Sequence, residues 1–175
     1  GKVGKHTPLS IFGGHYMTER HKLDYQSPIG IIEIVGSNEA IYSILFSEDL
    51  VNPLSEDTPQ VVKDCYRQLD EYFKGERHEF TFSMIMEGTP FQQSVWQSLT
   101  TIPYAKTASY KHIAVTMGNE KAIRAVGTAN GRNKLSIVIP CHRIIGASGK
   151  LVGYAGGLWR KEWLLNHEQK FQQPE

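Results

Sequence analysis

The nine residues Ile137-Val138-Ile139-Pro140-Cys141-His142-Arg143-Ile144-Ile145 constrain this chain more than any other stretch. β-Branched residues stand on both sides, which predicts apolar walls on both flanks. Between those walls lie a thiol, an imidazole and a guanidinium, so a fold that buries the flanks must also lodge three polar groups. Pro140 fixes its own φ and suits the first position of a short helical turn. A cysteine just inside such a turn faces backbone N–H groups and the positive end of the dipole, which favour its thiolate. A thiolate beside a base in a dry pocket reads as a nucleophile. Residue type alone also permits an ordinary buried thiol, since free cysteines are among the most buried residues. A core strand would rarely carry His142 and Arg143 directly after it.

The length of 175 residues suits one or two small domains with a proper core. No apolar run approaches the roughly 20 residues that span a bilayer, and no signal peptide is visible. Two cysteines, Cys65 and Cys141, are too few for a disulfide framework or a four-cysteine zinc site, so a reducing cytoplasm fits best. The formal net charge of +1 hides an asymmetry: residues 1–87 carry 8 Lys/Arg against 14 Asp/Glu, and residues 88–175 carry 11 against 4. A basic half beside an acidic one is the electrostatic footprint of a chain that offers one face to a polyanion.

Residues 1–16 show no periodicity and precede Met17, so they are expected to be a leader outside the fold. From His21 the pattern is β. Leu23 to Tyr25 alternates, Ser27-Pro28-Ile29-Gly30 turns, Ile31 to Val35 is a strand, and Gly36-Ser37-Asn38 turns again before Ala40 to Phe46. Val62, Cys65, Tyr66, Leu69, Tyr72 and Phe73 then mark one face of a helix ending near Gly75. Cys65 lies on that stripe and reads as core. Phe80 and Phe82 suggest one more strand. The character changes around Glu87 to Thr89, which places a domain over 17–87 and a second over 88–175.

In the second half, Thr89-Pro90 starts a helix with Phe91, Val95, Trp96 and Leu99 at helical spacing. Ser109 or Thr107 caps the next, whose inward face carries Tyr110, Ile113, Ala114 and Met117. Gly118-Asn119 forms a tight turn, and a further helix runs from about Glu120 to Asn130. Helix, short glycine turn and helix make a helix-turn-helix, a common DNA-docking unit. Ala122, Ala125, Gly127 and Ala129 are small, so the second helix backbone can approach a surface closely while Arg124 reaches past it. Against a duplex that would place Arg124 in the base stack; packing on the preceding helix is the plainer use of small residues. Past the cysteine, Gly146 to Gly149 reads as a hairpin-like turn, Leu151 to Ala155 as extended, and Leu158 to about His167 as a last helix. Glu168 follows at a C-terminal helix end, where a carboxylate opposes the dipole and calls for a partner such as an imidazole.

Ser109-Tyr110, Arg124-Ala125-Val126-Gly127, Ile139-Pro140-Cys141-His142-Arg143, Gly153-Tyr154-Ala155-Gly156-Gly157 and Lys161-Glu162-Trp163-Leu164-Leu165 together resemble the O6-alkylguanine-DNA alkyltransferases. The likeness runs in order from Pro90 to Glu168, and the first half matches more loosely the family's RNase H-like domain. The resemblance implies an α+β protein: an N-terminal RNase H-like antiparallel sheet with a helix, then a mainly helical, winged helix-turn-helix-like domain carrying the active site. It implies a partner, double-stranded DNA containing O6-alkylguanine, met in the minor groove through the second helix of the motif, with no membrane and no obligate protein partner. It implies a reaction too, in which a flipped base gives its alkyl group to Cys141 once and irreversibly, with no cofactor and no metal.

Site residues follow by the same resemblance. His142 acts through a bound water, oriented by Glu168; Asn133 ties the turn between recognition helix and active-site strand. Tyr154 contacts the guanine and supplies the leaving-group proton, the Ala155 N–H meets O6, and the Cys141 and Ile144 carbonyls accept from the exocyclic amine. Gly156 allows the loop to approach the base, and Lys161 helps set the pocket's width. Tyr110 crowds the phosphate beside the target, Arg124 fills the vacated stack, and Ala125, Gly127, Arg132 and Lys134 complete the DNA face. Ala105 stands where the family usually has glycine and Lys134 where proline is common. Two other readings carry less: a lesion-binding module would lack the cysteine, and a thiol hydrolase would not need the basic helix-turn-helix half.

Overall fold

The computed structural model describes residues 10–12, 15–17 and 19–172. Its first pairing, β1 (Ser10–Phe12) with β2 (His15–Met17), was not assigned from sequence; the rest of the expected 1–16 leader lies outside the described residues. The meander is as the alternation predicts: β3 (His21–Ser27), β4 (Gly30–Gly36) and β5 (Ile41–Ser47) form an antiparallel sheet in the order 3-4-5. Ser27 closes the first hairpin, its hydroxyl donating to the Gly30 carbonyl at 2.6 Å and accepting from Ile29 N–H at 3.1 Å. Gly30 there has a φ of +117, which a side chain rarely adopts. Helix α1 (Gln60–Phe73) lays Val62, Cys65, Leu69, Tyr72 and Phe73 on β3 and β4.

No strand forms at Phe80–Phe82; among the described residues the nearest pairing is an isolated bridge from Met84 to Ile41. The cause is a side chain in place of a ladder. Gln68 of α1 accepts the Thr81 N–H at 2.9 Å and donates to its hydroxyl at 2.8 Å, so that backbone group is already spoken for.

Thr89 and Gln92 form a capping box on α2 (Pro90–Leu99), as the Thr-Pro start predicts. After β6 (Ala108–Ser109), Ser109 caps α3 (Tyr110–Thr116) by accepting the His112 N–H at 3.0 Å. Gly118 takes a φ of +80 in the turn, and α4 (Ile123–Gly131) begins three residues later than periodicity suggests, because Glu120 and Lys121 stay in the turn. Helices α2, α3 and α4 pack on one another. Strand β7 (Ile144–Ile145) pairs with β6 in parallel, and α5 (Leu158–Lys170) closes the described chain. Residues 151–155 are not a strand; Gly153 has a φ of +52 and breaks the extended run. Among the described residues, no helix is long and apolar enough to cross a membrane.

The two halves are sewn together through backbone. The Ile44 N–H of β5 donates to Lys134 carbonyl at 2.8 Å, and the Ser136 N–H returns to Ile44 carbonyl at 3.1 Å. One buried core runs across both halves, from Leu23 and Ile34 through Leu69 to Trp96, Val126 and Ile139. Trp96 is its polar joint: the ring is 3 % exposed and Nε1 donates to the Ala129 carbonyl at 2.8 Å, clamping α2 to α4. Trp96→Phe removes that bond and leaves a void, so we expect a loss of about 2–3 kcal/mol. Urea unfolding of the variant checks this; a loss below about 0.5 kcal/mol would mean the clamp carries little.

Candidate active site

Two tight turns aim the cysteine. Ile137 has a φ of 72, an outlier for a β-branched residue, and the Val138 N–H donates across it to Ser136 carbonyl at 2.8 Å. Three residues on, Pro140 sits at φ −80, ψ 62, and the Cys141 N–H donates to Ile139 carbonyl at 2.7 Å. These are γ-turns of opposite hand. Hence the apolar run before the cysteine is not a strand, and Pro140 caps the 3₁₀ turn Cys141–Arg143 from outside rather than occupying its first position. Asn133 braces the whole arc. Its Nδ2 donates to the carbonyls of Ile139 at 2.9 Å and Leu135 at 3.4 Å, and its Oδ1 accepts the Leu135 N–H at 2.9 Å.

Glu168 lies in the last turn of α5 with no exposed surface. Oε2 accepts from Tyr72 Oη at 2.6 Å, His142 Nε2 at 2.7 Å and Arg143 Nη2 at 3.1 Å. Oε1 accepts from Arg143 Nε at 2.8 Å and the Ala105 N–H at 3.1 Å. The partner that the helix dipole demands is therefore present four times over. Burial alone would push this carboxyl up, yet His142 and Arg143 hold it well below the usual carboxylate range. An ionised carboxylate only accepts, so His142 carries its proton on Nε2. That leaves Nδ1 as the lone-pair nitrogen, buried and without a protein partner. Burial also pushes His142 below its ordinary value, so the ring is a neutral base.

Burial pushes the Cys141 thiol up, against the help of Asn133, Lys161 and the N–H groups of Cys141 and His142. The N–H groups act as the sequence suggests, but desolvation outweighs them, and the resting group is a thiol rather than a thiolate. Beside it a cavity of about 110 Å³ is lined by Tyr110, Gly127, Asn133, Ser136, Tyr154 and Ala155 among others. The Tyr154 hydroxyl is buried without a hydrogen-bond partner, and burial raises it well above its usual value. Tyr110 Oη makes a long bond of 3.4 Å to Val152 carbonyl.

Other expected site residues stand around this cavity. Lys161 is buried on α5; its ammonium donates to the Val152 and Gly153 carbonyls at 2.9 and 3.2 Å and is pushed down to about 8 by burial. Ile144 is buried in β7, and the Gly156 carbonyl accepts from Arg160 at 2.9 Å. Arg124, Ala125 and Arg132 share the exposed face of α4 and its end with Thr128 and Gly131. Lys134 stands beside Glu87, outside the cavity lining, and its carbonyl is held by Ile44. Sequence reasoning missed three parts: Tyr72, Arg143 as a ligand of Glu168, and the backbone of Ala105. Tyr72 sits on an apolar helical stripe 96 residues from Glu168, where nothing distinguishes it from plain core.

A helix-turn-helix set against a buried cysteine–histidine–glutamate site defines a class of DNA-facing proteins that carry their own nucleophile. Residues 90–170 match the family model of the 6-O-methylguanine DNA methyltransferase DNA-binding domain, and residues 22–84 match that of its ribonuclease-like domain. The methylated-DNA–protein-cysteine methyltransferase of Methanosarcina acetivorans is 45% identical over 148 residues, covering 82% of this chain and 95% of the relative. That of Mycobacterium tuberculosis is 43% identical over 152 residues, covering 85% and 92%. Crystal structures of the M. tuberculosis O6-methylguanine methyltransferase superpose with a TM-score of 0.79 at 40% identity, covering 90% of this chain and 97% of that one. Its complex with DNA gives 0.78 at 42% identity, covering 86% and 94%. The chain belongs to the 6-O-methylguanine DNA methyltransferase family.

Removing the buried charge tests the site's electrostatics. Glu168→Gln leaves Arg143 unpaired and opposes a donor with a donor, at a cost of about 3–5 kcal/mol at pH 7. A depressed carboxyl contributes stability that is present above its unfolded value, about 4.3, and is lost as pH falls toward the folded one. Chemical unfolding at several pH values should therefore show the gap between wild type and Glu168→Gln shrinking below about pH 4.3. A constant gap down to pH 3 would mean that ionisation of Glu168 is not what holds the site.

Proposed function

We propose that this protein repairs DNA by direct reversal, taking the alkyl group of an O6-alkylguanine onto the sulfur of Cys141 in one irreversible turnover. The observation that carries the reading is a buried thiol at the wall of a small cavity, next to a neutral histidine whose other nitrogen is fixed by an ionised glutamate.

The roles follow from the state of each group. His142 Nδ1 takes the thiol proton through a bridging water, and Glu168 stabilises the imidazolium that results. The sulfur pair forms the S–C bond as the C–O6 bond breaks, and the electrons of that bond pass to the guanine. Tyr154, kept protonated by burial, donates a hydrogen bond to the leaving base, and the proton taken up by His142 is available to return through water and neutralise it. The Lys161 ammonium favours the transient thiolate and holds the Val152–Gly153 backbone that carries Tyr154 and Ala155 toward the base. The Cys141 and Ile144 carbonyls accept from the exocyclic amine, and Gly156 leaves room for the ring. Asn133 keeps the thiol in register with α4.

DNA is the partner, and the minor groove is where α4 meets it. A methyl added at Gly127 would meet only the Tyr110 ring at 3.8 Å, and one at Gly131 would meet nothing within 4 Å. The protein's own packing does not demand small residues there, whereas a close approach to a duplex does. Ala125, Thr128 and Arg132 extend that face, with Arg124 reaching into the stack, Tyr110 pressing the neighbouring phosphate and Lys134 adding charge at its border. Flipping costs a few kcal/mol, less where an alkylated guanine pairs poorly. A thiol acceptor must stay reduced until used, so a reducing compartment such as the cytoplasm suits it.

Intact mass after incubation with a duplex bearing one O6-methylguanine should rise by one methyl per protein, mapped to the Cys141 peptide and absent in Cys141→Ser. Tight binding without a mass change would leave a recognition protein only. Arg124→Ala should slow repair in duplex DNA about tenfold or more while leaving reaction with free O6-benzylguanine near wild type. Equal losses on both substrates would remove Arg124 from base flipping.

A further inference from the structure

Of the side chains on Glu168, one comes from the other half of the chain. Tyr72 lies on α1, has no exposed surface, and donates to Oε2 at 2.6 Å, the same oxygen that accepts His142 Nε2 at 2.7 Å. The hydroxyl is the donor, because burial and the neighbouring Glu168 charge raise it far above its usual value while Glu168 is ionised. Its position is over-determined. The Tyr72 carbonyl is held by His167 Nε2 at 2.7 Å, and the ring meets Phe73 edge-on at 5.3 Å and Tyr104 edge-on at 6.2 Å, with Phe80 tilted at 5.7 Å. A core tyrosine needs some partner for its hydroxyl. A site inside the catalytic relay is a costly choice of partner if packing were the only purpose.

We propose that Tyr72 is a positioning residue for alkyl transfer, through which the N-terminal sheet-and-helix half sets the orientation and basicity of His142. The inference rests on the direct-reversal reading above. Two effects are combined. The hydroxyl fixes Oε2, so the carboxylate presents one defined direction to Nε2 and the imidazole keeps Nδ1 aimed at its task. It also draws on the charge of Oε2, which leaves less to stabilise the imidazolium and keeps His142 a weaker base than the glutamate alone would make it. The charged and titratable groups around this pair are Arg143 and Lys161, which lower His142, together with Tyr104, Cys141 and, against the Tyr72 ring from α5, His167.

Tyr72→Phe removes one oxygen and keeps the ring. The rate of transfer from free O6-benzylguanine, measured from about pH 5 to 9 without DNA, reads the relay alone. Transfer needs neutral His142, so its rate falls as pH drops through the histidine's value. In Tyr72→Phe that limb should move upward by about half a pH unit or more, and the plateau should fall about tenfold. Phe80→Leu, which loosens the ring's packing without touching the carboxylate, should lower the melting temperature and leave the limb in place. An unchanged plateau and limb in Tyr72→Phe, or a slower rate with the limb unmoved, would overturn the proposal and leave Tyr72 structural. If wild type itself transfers nothing to Cys141, the direct-reversal reading fails instead.

Discussion

A single buried carboxylate organises this protein. Glu168 stands on α5 and accepts from donors on α1, in the loop before β6 and in the active-site turn. Removing a carboxylate from water is costly, and only a full set of donors at good distances offsets that cost. The asymmetry explains why so much of the chain converges here: with every partner in place the group is stable and rigid, while loss of one leaves a charge or a donor stranded. Ala105 illustrates the exchange. Its φ of 64 is strained for a residue with a side chain, at about 1–2 kcal/mol, but it turns the N–H to Glu168 and the carbonyl to Gln169 Nε2 at 2.7 Å. A charge-assisted hydrogen bond of about 1.5–3 kcal/mol covers that strain.

Strain also shapes the approach to the thiol. A positive φ at Ile137 costs about 1–3 kcal/mol, and the bonds of Asn133 to both ends of the arc hold it there. The benefit is geometric. Cys141 comes ten residues after the end of α4 yet lines one cavity with Gly127 and Gly131, and the two γ-turns in between keep it beside the helix. The exposed face of α4 and Cys141 thus belong to one short, braced segment. Ile44 of β5 clasps the same segment from outside, which makes the N-terminal sheet a support for the arc rather than an appendage.

The sheet, α1, α2 and the helix-turn-helix were legible because their signals are local: alternation over Leu23 to Phe46, a capping box at Thr89, glycine at the turn after α3. Around Cys141 residue type left an ordinary buried thiol open, and the family resemblance of the wider motif decided between the readings. What stayed hidden has nonlocal causes. Gln68 replacing a strand at Phe80–Phe82, and Tyr72 reaching Glu168, depend on which helix face meets which loop, and periodicity marks both residues only as belonging to a helix. The strand expected before the cysteine failed for another reason. Ile137-Val138-Ile139 has strong β propensity, and tertiary bonds from Asn133 override it.

Burial, finally, gives the thiol its character as a reagent used once. A thiol held above its ordinary value resists oxidation and stray electrophiles, because the reactive thiolate is scarce until a base removes the proton. Burial holds His142 neutral, and in the proposed mechanism the imidazolium it would become is already paired with Glu168. The same enclosure that protects the thiol seals the product. A thioether has no acidic proton and no good leaving group, and releasing it would need a second nucleophile within reach. The other cysteine, Cys65, is fully buried against the N-terminal sheet, and burial pushes it up as well. On the proposed reaction, the packing that shields the thiol would also shield the thioether, so burial and chemistry both favour a stoichiometry of one.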